Sequence, residues 1–152
     1  MKSPHTLYRC MQPADLGEVI RIENAVFDHP WPAEAFESDA MKDSYVLEKS
    51  GIVIGYIMCL VAMDECTIAN IAVAPEHQNQ GYGRLILSET FELMRSRGIA
   101  FYYLDVRESN TIAQKLYTNL GFRRIALRKN YYSHPDENAV VMCLDTQNLN
   151  QG

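Results

Sequence analysis

Seven residues, Gln78-Asn79-Gln80-Gly81-Tyr82-Gly83-Arg84, combine what an anion needs from a polypeptide. Glycines two apart let the backbone pass close to a ligand and turn successive N–H groups into one concavity. The apolar-periodic segment beginning at Gly81 adds the unpaired donors and positive dipole end of a helix. Arg84 can contribute a charge-assisted contact, and the set suits a diphosphate. Two common nucleotide loops do not fit. A dinucleotide fingerprint wants a third glycine where Ile86 stands, and a P-loop wants Gly-Lys-Ser/Thr. Taken alone, the same residues also fit a plain helix-entry turn.

Further along, Asn110 and Tyr117 stand two helical turns apart and so share one helix face. A phenol there can act as a general acid, or simply pack into a core. Asn110 can bond a ligand or cap the helix. Cys10, Cys59, Cys66 and Cys143 are widely spaced, with no C-x-x-C pair and no His at ligand spacing. They read as buried free thiols, and no metal is expected.

These groups need elements to hold them. Thr6–Met11 alternates like a first strand, ended by Pro13. Residues 14–27 place Leu16, Val19, Ile20, Glu23 and Phe27 at mostly helical spacing, and a second short helix follows the prolines at 30 and 32. Residues 44–75 read as three strands, turned at Lys49-Ser50-Gly51 and at Asp64-Glu65. A third helix runs from Gly81, with Leu87, Phe91 and Met94 on one stripe, and stops at Gly98. The strand through Phe101–Val106 puts Phe101, Tyr103 and Asp105 on one side. A fourth helix, capped by Ser109 or Asn110, carries Ile112, Ala113, Leu116, Tyr117 and Leu120 and stops at Gly121. Strands near Arg124–Arg128 and Ala139–Leu144 close the chain. The order βααβββαβαββ predicts an α/β fold, a mixed sheet flanked by helices.

The chain has 152 residues, 47% apolar and 22% charged, with a formal net charge of −5. That predicts one globular domain over residues 1–152, with 147–152 as a flexible tail. The acidic balance gives no general reason to bind nucleic acid. The N-terminus lacks a signal-peptide apolar region, and no run approaches the roughly 18 residues of a membrane span. No membrane is therefore expected as a partner, and the expected location is cytoplasmic. Arg123, Arg124, Arg128 and Lys129 form a local basic cluster that fits either an anion site or a solvated rim.

The segment "NIAVAPEHQNQGYGRLIL", followed by "LDVRESNTIAQKLYTNLGF", resembles the GNAT superfamily of N-acetyltransferases in both main motifs. The first is strand, Q/R-x-x-G-x-G/A, helix; the second is strand, Asn110, helix, Tyr117, then Gly121-Phe122. "HPW" near position 30, "MDECTIANIAV" and "RKNYY" are similar to segments of one bacterial subgroup, the ribosomal-protein-alanine N-acetyltransferases (RimI type). The resemblance implies a mostly antiparallel seven-stranded sheet, splayed between strands 4 and 5, with about four helices. It implies direct acetyl transfer from acetyl-CoA, as cosubstrate, to a protein N-terminal α-amine, that of ribosomal protein S18. Gln78 to Arg84 would hold the diphosphate, and Ile71, Ala72 and Val73 would lie along the pantetheine and thioester. Asn110 would bond the pantetheine arm, while Tyr117 would touch the cofactor and protonate the departing thiolate.

In the subgroup a glutamate stands where this chain has Asp105, one methylene shorter, so Asp105 would act as base through a bridging water. Glu65, in the turn before the fourth strand, is the second candidate. The acceptor channel is expected from Pro30 and Trp31 on one side and Tyr131 and Tyr132, in the loop between strands 6 and 7, on the other. Two other readings fit the same residues: acetylation of a small amine such as a polyamine, and a CoA-binding module without turnover. A monomer or weak dimer is expected.

Overall fold

The computed structural model describes residues 5–37 and 42–147. The tail expected over 147–152 lies outside them apart from Gln147. Among the described residues, seven strands form one mixed sheet in the order β1-β2-β3-β4-β5-β7-β6, with four α-helices. No helix among the described residues is long and apolar enough to cross a membrane. Contacts group the chain into two compact units interleaved in sequence, Met1–Leu60 with Ala69–Met94, and Val61–Ile68 with Arg95–Gly152.

The first unit contains β1 (Thr6–Cys10), α1 (Leu16–Val26), α2 (Ala33–Phe36), β2 (Asp43–Lys49) and most of β3 (Ile52–Ala62). It also holds the second half of β4 (Glu65–Val73) and nearly all of α3 (Tyr82–Ser96). β1, β2 and β3 run antiparallel, and Ser50 and Gly51, both at positive φ, make the two-residue turn between β2 and β3. Val19 and Ile22 of α1 pack with Val46, Tyr56, Met58 and Ala72 in the core. Arg9 pins the start of α1 by forking onto both oxygens of Asp15 at 2.8 Å. Gly55, on β3, faces β4 and α3. A Cβ there would lie 2.8 Å from Ile86 Cδ1 and 3.0 Å from the Ala72 carbonyl oxygen, so any side chain would force both neighbours to shift.

The second unit is built on β5 (Phe101–Arg107), β7 (Glu137–Asp145) and β6 (Arg123–Tyr132), antiparallel in that spatial order, with α4 (Thr111–Asn119). β7 lies between two neighbours and is buried continuously from Ala139 to Leu144. β5 buries Tyr102, Leu104 and Val106 and turns Phe101, Tyr103, Asp105 and Arg107 the other way. β4 and β5 are parallel and pair only over Glu65–Thr67 with Phe101–Tyr103. The mixed sheet is the one expected, and the β4–β5 pairing is a parallel step in it. Three details differ from expectation. Cys10, at the end of β1, is exposed, while Cys59, Cys66 and Cys143 are buried thiols as expected. Ile112 is 84% exposed, so the buried stripe of α4 begins at Ala113. Tyr131 and Tyr132 end β6 rather than occupying the following loop.

Candidate active site

In the first unit, the chain leaves β4 at Val73 and makes a short 3₁₀ turn at Pro75–His77. Asn79 and Gly81 then take left-handed φ values of 63° and 87°. The Gln78 carboxamide reaches back to donate to the Val73 carbonyl at 3.0 Å, and Gln80 reaches Glu76 O at 3.4 Å. Both side chains therefore brace the loop. Leu85 is the first helical residue whose amide finds a backbone acceptor, Gly81 O at 3.0 Å. Among the described residues, the amides of Asn79 to Arg84 donate to no protein acceptor. A contiguous row of donors at a helix start is what a diphosphate requires. Tyr82 is held edge-on to His77, with the Lys49 ammonium 5.2 Å above its ring. Arg84 is exposed. Ile71 and Val73 are half-buried on one side of β4 and Ala72 is buried on the other.

Also in this unit, the Trp31 ring packs 5.7 Å from Phe36 and its amide donates to Glu23 Oε2 at 2.9 Å. Glu23 is 1% exposed and takes two further bonds on Oε1, from Tyr56 Oη and from Asn70 Nδ2 at 2.7 Å. Burial first, then the bond to Glu23, pushes the Tyr56 phenol far up and keeps it a donor. Sequence reasoning placed Glu23 on the core stripe of α1 and gave it no task. A carboxylate at a core-facing helical position was the available signal.

In the second unit, Asp105, Tyr131 and Tyr132 come together through two arginines. Arg128 Nε is 3.5 Å from Asp105 Oδ1, and its guanidinium lies 5.7 Å over the Tyr131 ring. Arg107 lies 4.4 Å over the Tyr132 ring and spreads its fork across the β6–β7 turn, reaching Glu137 Oε1, Pro135 O and Ser133 O. Tyr131 and Tyr132 meet edge to face at 5.1 Å. Burial, then the charge of Asp105, pushes the Tyr132 phenol up to about 12. Glu65 lies elsewhere. It is in register with Phe101, four residues before Asp105, which is about 13 Å along an extended strand. The two carboxylates cannot attend the same proton.

Asn110 caps α4, its Oδ1 accepting from Ala113 N at 3.1 Å, which leaves its two amide hydrogens for a ligand. Gln114 fastens the helix to the end of β5 by donating to Arg107 O and Glu108 O. The Tyr117 ring is 9% exposed and tilted against Phe122 at 5.7 Å. Burial alone pushes its phenol up to about 12. No fully buried polar side-chain atom among the described residues lacks a partner, so the unbonded Tyr117 hydroxyl is reached by solvent. An apolar ring with an open, protonated hydroxyl is suited to giving a proton. Arg107, Gln114 and Glu23 are the positioning groups that sequence reasoning missed.

The acetyltransferase (GNAT) family model matches residues 16–122. The chain is 38% identical over 135 residues to the [ribosomal protein bS18]-alanine N-acetyltransferase of Haemophilus ducreyi, covering 86% of this chain and 93% of that protein. Its fold is similar to the crystal structure of the ribosomal-protein-S18-alanine N-acetyltransferase from Escherichia coli. The TM-score is 0.87 at 32% identity, covering 93% of this chain and 94% of that one. It shares the fold of Arabidopsis thaliana Naa50 in complex with the bisubstrate analogue CoA-Ac-MVNAL, with a TM-score of 0.81 at 18% identity, covering 91% and 97%.

Proposed function

This chain belongs to the acetyltransferase (GNAT) family, and we propose that it moves the acetyl group of acetyl-CoA to a protein N-terminal α-amine, acting as a single domain. The acceptor is the N-terminal alanine of ribosomal protein S18. The observation that carries this reading is the similarity to bS18-alanine N-acetyltransferases over nearly the whole chain. Bound acetyl-CoA supplies an activated thioester; the residues supply the rest. The amides of Asn79 to Arg84 take the diphosphate, with Arg84 adding charge. The β4 backbone from Ile71 to Val73 offers donors to the arm and the carbonyl oxygen. The free amide hydrogens of Asn110 steady the same arm. Tyr117 gives its proton to the departing thiolate.

Asp105 takes a proton from the acceptor amine through a water, beside Tyr131 and Tyr132, whose phenols bond the acceptor's backbone. Trp31, within the first unit, is a wall for the acceptor. An α-amine with a reference pKa of about 7.7–8.0 needs less help from a base than lysine at about 10.4. A short aspartate working through water is sufficient for it. Asp105→Asn should therefore lower kcat/KM about tenfold to hundredfold, at the weak end of general-base effects. Glu65→Gln should stay within about twofold. Steady-state assays from pH 6 to 9 check this, and a loss confined to Glu65→Gln would move the base to β4.

The function itself is tested by mass spectrometry after incubation with acetyl-CoA and three acceptors. These are an alanine-starting S18 peptide, an N-blocked lysine peptide and spermidine. One acetyl group on the peptide α-amine is expected. Acetylation of spermidine alone would overturn the reading.

A further inference from the structure

Between His29 and Ala33 the chain reads Pro30-Trp31-Pro32. Neither proline has an N–H, so Trp31 carries the single amide with which this stretch can be tied down. That amide goes to Glu23 Oε2 at 2.9 Å. The same residue ends α1 through its backbone, since Phe27 N donates to Glu23 O at 3.0 Å. On Oε1, Glu23 gathers Tyr56 from β3 and Asn70 from β4, the residue before Ile71. One carboxylate thus joins a helix end, a loop and two strands, and it is 1% exposed.

We propose that Glu23 is a positioning residue for acceptor selection, setting where Trp31 stands by bonding its amide, Tyr56 and Asn70 together. The proposal rests on the reading of Trp31 as an acceptor wall. Its burial and its three partners leave Glu23 out of contact with either substrate, so it acts through Trp31. Removing it frees the loop, widens the acceptor site and leaves the Gln78–Arg84 cradle as it was. Glutamine is the conservative replacement. Its carbonyl oxygen can keep the Trp31 bond while its NH₂ donates to the Tyr56 oxygen and to a flipped Asn70 carboxamide.

Trp31 is the sole tryptophan in the chain, so its emission reports this position without reference to turnover. The full chain is compared with Glu23→Leu, Glu23→Gln and Tyr56→Phe by emission maximum, acrylamide quenching and the KM of each substrate. Glu23→Leu should red-shift the emission and raise the acceptor KM about tenfold or more, with the acetyl-CoA KM within about twofold. Glu23→Gln should recover most of both. If Glu23→Leu does not fold, Tyr56→Phe carries the test with a smaller shift in the same direction. Unchanged emission in a folded variant overturns the proposal, as does an equal rise in both KM values or a shifted emission with neither KM changed. Should the wild type acetylate some other amine, the functional reading fails, and the Glu23 measurement is made with that amine.

Discussion

Tyr117→Phe should lower kcat about 10²–10³-fold, within the range for removing a general acid, and leave acetyl-CoA binding unchanged within about twofold. The deleted hydroxyl bonds nothing among the described residues, and the ring that packs on Phe122 remains, so little stability is lost. Stopped-assay kcat and calorimetric Kd separate the two effects. Unchanged turnover would remove Tyr117 from the acid role. The pH dependence has a definite sign. Burial raises the folded phenol from its ordinary value near 10 to about 12. It stays protonated across the working range, so it sets no alkaline limb below pH 10. The wild-type rate should instead climb through the acceptor's own pKa of about 7.7–8.0 and level off. The raised pKa also means that the folded state holds this proton more tightly than the unfolded chain. That contribution is complete below pH 10 and is lost as pH rises from 10 towards 12, a loss that Tyr117→Phe should abolish.

Gly83→Val should weaken acetyl-CoA binding about 10–100-fold while changing the melting temperature little. The two loop glycines differ in why they are glycine. Gly81 sits at φ 87°, where any side chain is strained even though its surroundings are open. Gly83 has no such strain, and a Cβ there meets only Val73 Cγ2 at 3.9 Å, an ordinary contact. The protein has no internal need for a glycine at 83. A ligand approaching the first turn of α3 does, because a branched side chain would stand in front of the free amides. Calorimetric titration with CoA beside thermal melts checks this. Equal affinity in a folded Gly83→Val would remove the diphosphate from this loop.

What could be read from the sequence follows from distance along the chain. The loop glycines, the cap at Asn110 and the paired face of Asn110 and Tyr117 are set by spacings of a turn or two, and the structure has them there. The helix stops at Gly98 and Gly121 are equally local, each at positive φ. The groups that were missed work across long separations. Glu23 meets Asn70 across 47 positions, and Arg107 meets Glu137 across 30. No periodicity encodes such a pairing. The extension of β6 to Tyr132 escaped notice for a related reason. Its register is irregular between Arg128 and Tyr132, so strict alternation fails where the strand continues.

That irregular strand also carries the basic cluster, which composition left open between an anion site and a rim. Among the described residues β6 is the last strand of the sheet, and it pairs with β7 alone. An outermost strand offers unpaired backbone groups on which another chain can build a ladder and begin to aggregate. Here the strand carries Arg123, Arg124, Arg128 and Lys129, all exposed, and its pairing slips twice. A foreign strand would have to bring like-charged neighbours together along a kinked template, at a cost that grows with every added copy. Arg124 and Arg128 also find carboxylates at Glu108 and Asp105, so the same charges are steadied within the molecule. Exposed charge on an irregular margin is one of the ways a sheet edge is made a poor template for another chain.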